Sequence, residues 1–325
     1  MKYKLFGAKT GLYASELVFG SAMLGNRSGY GTTPEDAQSM LQRFTEAGGN
    51  FIDTSDRYQL GEAEELIGKF IASRRDDFII CTKYTRTSQE KPAIGNIGNH
   101  RKAMVQAVEA SLKRLQTDHI DIYMPHYDDG VTPLEETVRG LDDLVRSGKV
   151  IYAGLANFPA WKAAIVTTLA AEQQLNIAAI QFEYSLLQRT SDREIVPMAQ
   201  HLGMGAMMYS PLAGGLLTGK YRKGEVGRMN LTGKTGNKDT ATELLLDVLQ
   251  NIADEMQVLS GHVALAWAMA KGGFPIIGAR SLAQLEDNLT ALNVTLTEDH
   301  IKTLDELSAV SLGYPHELLA AQKSN

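Results

Sequence analysis

The chain has 325 residues, 44% hydrophobic and 22% charged, with 30 Gly and 9 Pro, a balance that excludes disordered, collagen-like and disulfide-scaffold proteins. A formal charge of -6 offers no basic stripe for nucleic acid, and no apolar run reaches the ~18 residues of a membrane span. The one cysteine, Cys81, excludes an intrachain disulfide, and the basic start MKYKLFGAKTG leads into no apolar run, so a cytoplasmic protein without a secretory leader is expected.

Short apolar runs alternate with longer amphipathic ones. The short runs predict eight strands: Leu17–Ser21, Asn50–Thr54, Phe78–Lys83, His119–His126, Val150–Ala156, Ile177–Phe182, Met204–Ser210 and Phe274–Gly278. They show little period-2 alternation, as expected of parallel strands covered on both faces. Between them, Thr33–Gly48 opens T-P-E-D, a cap residue with Pro at the first helical position. Further helices are predicted at Glu62–Ser73, His100–Leu115, Thr132–Ser147, Ala160–Ala171, Ser191–Leu202, Thr240–Leu259, Ser260–Lys271 and Leu282–Leu292. For Thr132–Ser147 a capping box of Thr132 and Glu135 is expected. Eight strand–helix pairs argue for one (β/α)8 TIM barrel spanning 1–325 rather than an open sheet. A barrel uses about 250 residues. The surplus falls in Met1–Glu16, a hairpin closing the barrel bottom, Gly219–Asp239, a lid or plain excursion after strand 7, and the tail Ser308–Asn325.

Barrel enzymes carry their chemistry at the C-terminal ends of the strands. There the sequence puts Asp53, with Tyr58 just beyond, then Lys83, His126, Asn157, Gln181 and Tyr209. A buried Asp or Lys is costly unless paired, and Asp53 with Lys83 on the adjacent strand is the simplest pairing. Taken singly, this is equally a plain buried ion pair, and His126 equally a satisfied core histidine.

The segments FIDTSDRYQLGEAEELIG, IICTKY, HIDIYMPH, YAGLANF, IQFEYSLLQR, YSPLAGGLLTGKY and IIGARSLAQLEDNL resemble those of the aldo-keto reductases, most closely the aryl-alcohol-dehydrogenase-like branch. The likeness runs from LVFGS to DNL. It implies a catalytic tetrad of Asp53, Tyr58, Lys83 and His126, with the hydride coming from a nicotinamide cofactor. A phenol with a reference pKa near 10 is a poor donor at neutral pH. Lys83 would lower that pKa, Asp53 would hold Lys83, and His126 would donate to or accept from the substrate oxygen.

The resemblance also implies a cofactor site. Gly20, Ser21 and Asp53 would line it, Asn157 and Gln181 would bond the nicotinamide carboxamide, and Tyr209 would stack on its ring. A Ser commonly precedes the Asn in the family, where this chain has Ala156. Ser210, Leu212, Gly214 and Leu216 would follow the pyrophosphate, with Lys220 and Arg228 clasping it or standing as solvated loop charges. Gly278, Arg280, Gln284, Asp287 and Asn288 would surround the adenosine end, Arg280 favouring NADP(H), with NAD(H) the alternative. GGLLTGKY nearly forms a phosphate-binding G-x4-G-K-[ST] loop, but Tyr221 stands where a small hydroxyl is needed, and G-x-G-x-x-G does not occur. No His/Cys pair has metal-ligand spacing.

Substrate candidates at the mouth are Tyr30 and Met23, Tyr84 and Arg86, Tyr127, Asp128 and Asp129, and Phe158 and Trp161. Aromatic walls would suit aryl carbonyls, and the aspartates sugar or polyol hydroxyls. The expected activity is reduction of an aldehyde or ketone. The alternatives are an alcohol or sugar dehydrogenase, or a cofactor-sensing subunit like the potassium-channel β-subunits, which carry Asn where this chain has His126. A small carbonyl or alcohol is the expected partner, with no nucleic acid or membrane, in a monomer or weak homo-oligomer.

Overall fold

The computed structural model describes residues 1–225, 227 and 240–323. An antiparallel pair, β1 (Tyr3–Leu5) and β2 (Tyr13–Ser15), precedes eight strands: β3 (Val18–Gly20), β4 (Phe51–Asp53), β5 (Ile79–Tyr84), β6 (Ile120–Pro125), β7 (Val150–Ala156), β8 (Ile177–Glu183), β9 (Gly205–Tyr209) and β10 (Phe274–Gly278). Each of the eight pairs in parallel with the next, and β10 closes on β3, so the expected (β/α)8 barrel is the fold. The strands are apolar throughout because both of their faces are covered. Ile79 and Cys81 of β5 pack inside the barrel, while Ile80 and Tyr84 pack outside against helices.

The hairpin plugs the barrel at the N-terminal ends of the strands. Phe6, fully buried, meets Phe51 edge-on with ring centroids 5.4 Å apart and Phe274 at 5.0 Å. Gly205 faces this ring: a Cβ there would come within 2.6 Å of Phe6. The opposite mouth, where active sites of this fold sit, stays open.

Helices α1 (Pro34–Glu46), α2 (Glu62–Ile71), α3 (Arg101–Leu115), α4 (Leu134–Arg146), α5 (Ala160–Glu172) and α6 (Ile195–His201) surround the first part of the barrel. Thr33 caps α1 as expected, its hydroxyl accepting from the Asp36 N–H at 3.1 Å. The capping box at Thr132 does not form. Thr132 donates its hydroxyl to Asp129 at 2.7 Å, and α4 starts after Pro133. The start expected at Ser191 is also late, because a 3-10 turn at Thr190–Asp192 comes before α6.

The helices Thr240–Glu255, Ser260–Ala270 and Leu282–Thr290 follow. Two more were not anticipated: Glu298–Leu307, just before the expected tail, and His316–Lys323, inside it. The first is fastened by Asp305, which accepts from the Trp267 indole N–H at 3.0 Å and from the Lys271 ammonium. Of the expected lid, Arg228 and the rest of 228–239 lie outside the described residues, as does Val226. Its first part is a 3-10 turn, Lys220–Lys223, tied down by Arg222, which donates to Glu243 and Asp247. Among the described residues, no helix is long and apolar enough to cross a membrane.

Candidate active site

Side chains alternate along a strand, so residues two apart share a face. Lys83 therefore follows Ile79 and Cys81 into the barrel, and it lies beside Asp53 because β4 pairs with β5 with Asp53 opposite Cys81. The Lys83 ammonium donates to Asp53 Oδ1 at 2.7 Å and to the Thr54 carbonyl at 2.8 Å. Gln181, from across the barrel, donates its amide to the same Asp53 oxygen at 2.7 Å. Lys83 is fully buried and Asp53 nearly so. Burial opposes the charge on Lys83, but the Asp53 carboxylate outweighs it and holds the ammonium's pKa above its ordinary value. Cys81 is buried in the same interior, which pushes its thiol up and leaves it a packing residue.

Tyr58 opens a short 3-10 turn, Tyr58–Gly61, in which Gln59 and Leu60 take left-handed backbone angles. The turn sets the Tyr58 ring 5.3 Å above the Lys83 Nζ and edge-on to His126, with centroids 5.8 Å apart. The effect on Tyr58 differs from the expectation. Burial raises its pKa, Lys83 pulls the other way, and the net shift is upward. The phenol is thus protonated at neutral pH. His126 shows the opposite sign: burial, then the charges of Lys83 and Arg86, hold its pKa down to about 3, so the imidazole is neutral.

Two residues that sequence reasoning passed over complete this corner. Ser55 Oγ lies 3.1 Å from His126 Nδ1 and donates to Asp56 Oδ1 at 3.2 Å. Their signal was a further Ser-Asp pair between Asp53 and Tyr58, directly after an apolar strand.

Around this centre the other candidates divide. Asn157, held at a φ of 53°, donates its amide to the His126 carbonyl and accepts from the Tyr209 hydroxyl, both at 2.9 Å. Tyr209 ends β9, and its hydroxyl is pushed up to about 12 by burial, then by Glu183 and Tyr58. Gly20 and Ser21 end β3; the Ser21 N–H donates to the Asp53 carbonyl, and its buried hydroxyl has no partner among the described residues. Beyond β9 the chain from Ser210 through Leu212 and Gly214 to Leu216 winds tightly, with positive φ at Ser210, Ala213, Gly214 and Gly215. Lys220 follows, its pKa lowered by burial and by the nearby charge of Arg280. Arg280 rests over the Tyr30 ring at 5.1 Å, just before the helix capped by Ser281. Gln284 accepts from the Arg280 N–H at 2.9 Å, Asp287 meets His262 at 2.9 Å, and Asn288 donates to the Gly278 carbonyl at 3.3 Å. A Cβ on Gly278 itself would meet nothing within 4 Å.

Several substrate candidates belong elsewhere. Tyr84 is one residue past Lys83 and so points outward. It is fully buried, stacked on Tyr123 at 5.2 Å, and its hydroxyl donates to the Asn99 carbonyl. Tyr30 lies with Arg280. Asp128 pairs with Lys162 at 2.5 Å. Asp129 accepts from the backbone of Asn99, Val131 and Thr132. Phe158 and Met23 are buried, and Trp161 is exposed at the start of α5. Tyr127 and Arg86 remain at the mouth. With Arg57, Thr85 and Gln89 they line a recess of about 210 Å³.

The residues present fit a nicotinamide dinucleotide. Two like charges, Lys220 and Arg280, approach each other next to a helix N-terminus, which suits phosphate. The unpartnered Ser21 hydroxyl and the open space at Gly278 lie at the ends of the neighbouring strands β3 and β10.

The sequence pattern of the aldo/keto reductase family matches residues 16–309. Over 100% of its length the chain is 32% identical to the aldo-keto reductase ausK of Aspergillus calidoustus, covering 86% of that protein. It is 33% identical to norsolorinic acid reductase stcV of Emericella nidulans, over 98% of this chain and 84% of that one. It is also 32% identical to AAD14 of Saccharomyces cerevisiae, an aryl-alcohol-dehydrogenase-like protein, over 98% of this chain and 89% of the relative.

Proposed function

The chain belongs to the aldo/keto reductase family, oxidoreductases of carbonyl and alcohol groups that generally use a nicotinamide nucleotide, and from that premise we propose that it reduces aldehydes or ketones with NADPH, Tyr58 giving the proton. The observation that carries this reading is the buried Lys83–Asp53 pair directly beneath the Tyr58 ring, with His126 at its edge.

When bound, a nicotinamide cofactor would supply a hydride to the carbonyl carbon. As it arrives, the carbonyl oxygen gains negative charge and must be stabilised and protonated. Tyr58, protonated at neutral pH, gives up its proton to that oxygen. Lys83 stabilises the phenolate left behind, and Asp53 keeps Lys83 charged and in place. Oxidation of an alcohol at the same site would need the phenolate first, and the upward shift of the resting phenol opposes that form. Asn157, Gln181 and Tyr209 would hold the nicotinamide, with Gly20, Ser21 and Asp53 around it. The turn Ser210–Leu216 and Lys220 would hold the pyrophosphate. Arg280 and the N-terminus of the helix Leu282–Thr290 would hold the adenosine phosphate. Gln284, Asp287 and Asn288 are already bonded within the protein, so they would shape that end rather than grip it.

The test is a fluorescence titration with NADPH and NADH on the unaltered protein and on Tyr58→Phe. The reading expects NADPH to bind at least about tenfold tighter, a difference of about 1.4 kcal/mol. It expects Tyr58→Phe to bind equally well yet to have lost carbonyl turnover. Binding of neither nucleotide would overturn it. Cofactor binding with no turnover of any carbonyl or alcohol would favour the sensing role instead.

A further inference from the structure

Ser55 and Asp56 run from the back of His126 into the protein. Ser55 Oγ stands 3.1 Å from His126 Nδ1 and 3.2 Å from Asp56 Oδ1, and it accepts from the Arg57 N–H at 3.2 Å. Its one other hydrogen-bond contact among the described residues, 3.5 Å to the Lys83 carbonyl, is too long to hold the hydroxyl hydrogen well. Both residues are buried. A serine hydroxyl has one hydrogen to give and two lone pairs to fill, and the backbone N–H of Arg57 takes one. Two complete arrangements remain. In one, Ser55 donates to Asp56 and accepts from His126 Nδ1–H, leaving Nε2 bare. In the other, a protonated Asp56 donates to Ser55, Ser55 donates to Nδ1, and the ring hydrogen sits on Nε2.

We infer that Ser55 and Asp56 form a relay that sets the tautomer of His126, making its Nε2 a donor to a carbonyl oxygen in one state and an acceptor from an alcohol in the other. The inference rests on the proposed reaction for its consequence, but the tautomer itself does not. Both residues act through His126 and are positioning residues. His126 stays neutral in both states, since burial and the charges of Lys83 and Arg86 disfavour a second ring proton. The Tyr58 and Tyr127 rings stand beside it, with centroids 5.8 Å and 6.3 Å from that of the imidazole.

The surroundings of Asp56 leave it able to change state near neutral pH. Burial comes first, then the adjacent Glu64 carboxylate, and together they raise Asp56 to about 7 against Arg114, Ser55 and the Thr87 N–H. Arg114 is already engaged by Glu64 at 2.7 Å, and the remaining Glu64 oxygen accepts from Thr82. From β6 the Tyr123 hydroxyl faces this carboxyl, and the Asp56 N–H is bonded to the Lys83 carbonyl. Among the described residues no cation forms an ion pair with Asp56. Below its pKa the relay presents Nε2–H, and above it a bare Nε2.

The experiment is long-range proton–nitrogen NMR on the full chain labelled in histidine, without cofactor, with His126→Gln to assign the ring. The expected result is a ring proton that moves from Nε2 to Nδ1 as pH rises from about 5.5 to about 8.5. In Ser55→Ala and Asp56→Asn, the tautomer no longer changes with pH. Should Asp56→Asn not fold, Ser55→Ala carries the comparison alone. In turnover, the ratio of reductive to oxidative kcat should fall by roughly tenfold across that range in the unaltered protein and stay flat in Ser55→Ala. A wild-type tautomer that ignores pH, or a pH-dependent one unchanged in Ser55→Ala, overturns the relay. Neither outcome bears on whether Tyr58 is the proton donor, which the Tyr58→Phe measurement decides.

Discussion

Lys83 and Asp53 form a buried pair in which each charge is tolerable only because of the other. Removing one member leaves an uncompensated charge and costs about 3–5 kcal/mol, whereas removing both costs much less. Lys83→Met is therefore expected to lower urea stability by that amount, and the double variant Lys83→Met with Asp53→Asn to recover most of it. A double variant as unstable as the single one would mean the pair is not what holds this corner. Asp56 predicts a pH effect of its own. Its carboxyl is raised in the folded state, from the ordinary range to about 7. The folded protein then binds more protons than the unfolded chain between about pH 4 and pH 7, so stability falls as pH rises through that window. The loss is at most about 4 kcal/mol, at roughly 1.4 kcal/mol per unit. Denaturation midpoints followed from pH 4.5 to 7.5 should fall in the unaltered protein and fall much less in Asp56→Asn. Under the proposed reaction Tyr58 adds a later limb, since its raised pKa keeps the phenol protonated further into the alkaline range and would delay the loss of reduction. Asp53, Lys83 and His126 stood out in the sequence because each is a polar residue at the end of an apolar run, and Tyr58 was added through the resemblance. Ser55 and Asp56 could not, because their meaning depends on His126, which reaches them from β6.

At the scale of elements, the strands were legible and the helix ends less so. Parallel strands buried on both faces announce themselves as unbroken apolar runs, and β5, β7 and β8 follow the reading closely. Helix starts depend on who claims the capping hydroxyl. Thr33 had no competitor and caps α1. Thr132 was captured by Asp129, a tertiary choice invisible in a capping-box pattern. The helix Glu298–Leu307 escaped notice because its apolar face is sparse: only Leu304 in it is buried. Tyr84 shows how sharp the strand alternation is, since one step past Lys83 moves a side chain from the interior to the far face of the barrel. The β1–β2 hairpin offers a test separate from catalysis. Phe6 fills the barrel floor against Phe51 and Phe274 at the end opposite Tyr58. Phe6→Ala should cost about 3–5 kcal/mol in urea unfolding through the cavity it leaves, with kcat at saturating substrate unchanged. A changed kcat at full folding would show that the floor and the mouth are coupled.

At the scale of the whole molecule, charge sets a problem that the mouth must solve. The chain carries a formal charge of -6, so its average field repels an anionic cofactor. Capture must then come from local cations, such as those that form no ion pair with a carboxylate among the described residues. Among the described residues, thirteen arginines and lysines elsewhere are paired with carboxylates, Arg75, Arg114 and Arg189 among them. Lys220 and Arg280 instead face each other and lie over the rings of Tyr221 and Tyr30, and their mutual repulsion contributes to the lowered pKa of Lys220. An anion between them relieves that repulsion, so its binding should be strong at low salt and decay as the Debye length shrinks from about 30 Å at 0.01 M to about 8 Å at 0.15 M. Replacing Arg280 by Ala should weaken NADPH by about ten- to a hundredfold and NADH much less, because on the proposed reading only NADPH would bring a phosphate to the helix that Ser281 caps. Replacing Lys220 by Ala should weaken both nucleotides alike, because both carry the pyrophosphate. The contrast is read by titrating the two variants with both nucleotides at two salt concentrations. If Arg280→Ala weakened NADH as much as NADPH, the arginine would serve the shared part of the nucleotide, and the preference for NADPH would have to come from elsewhere.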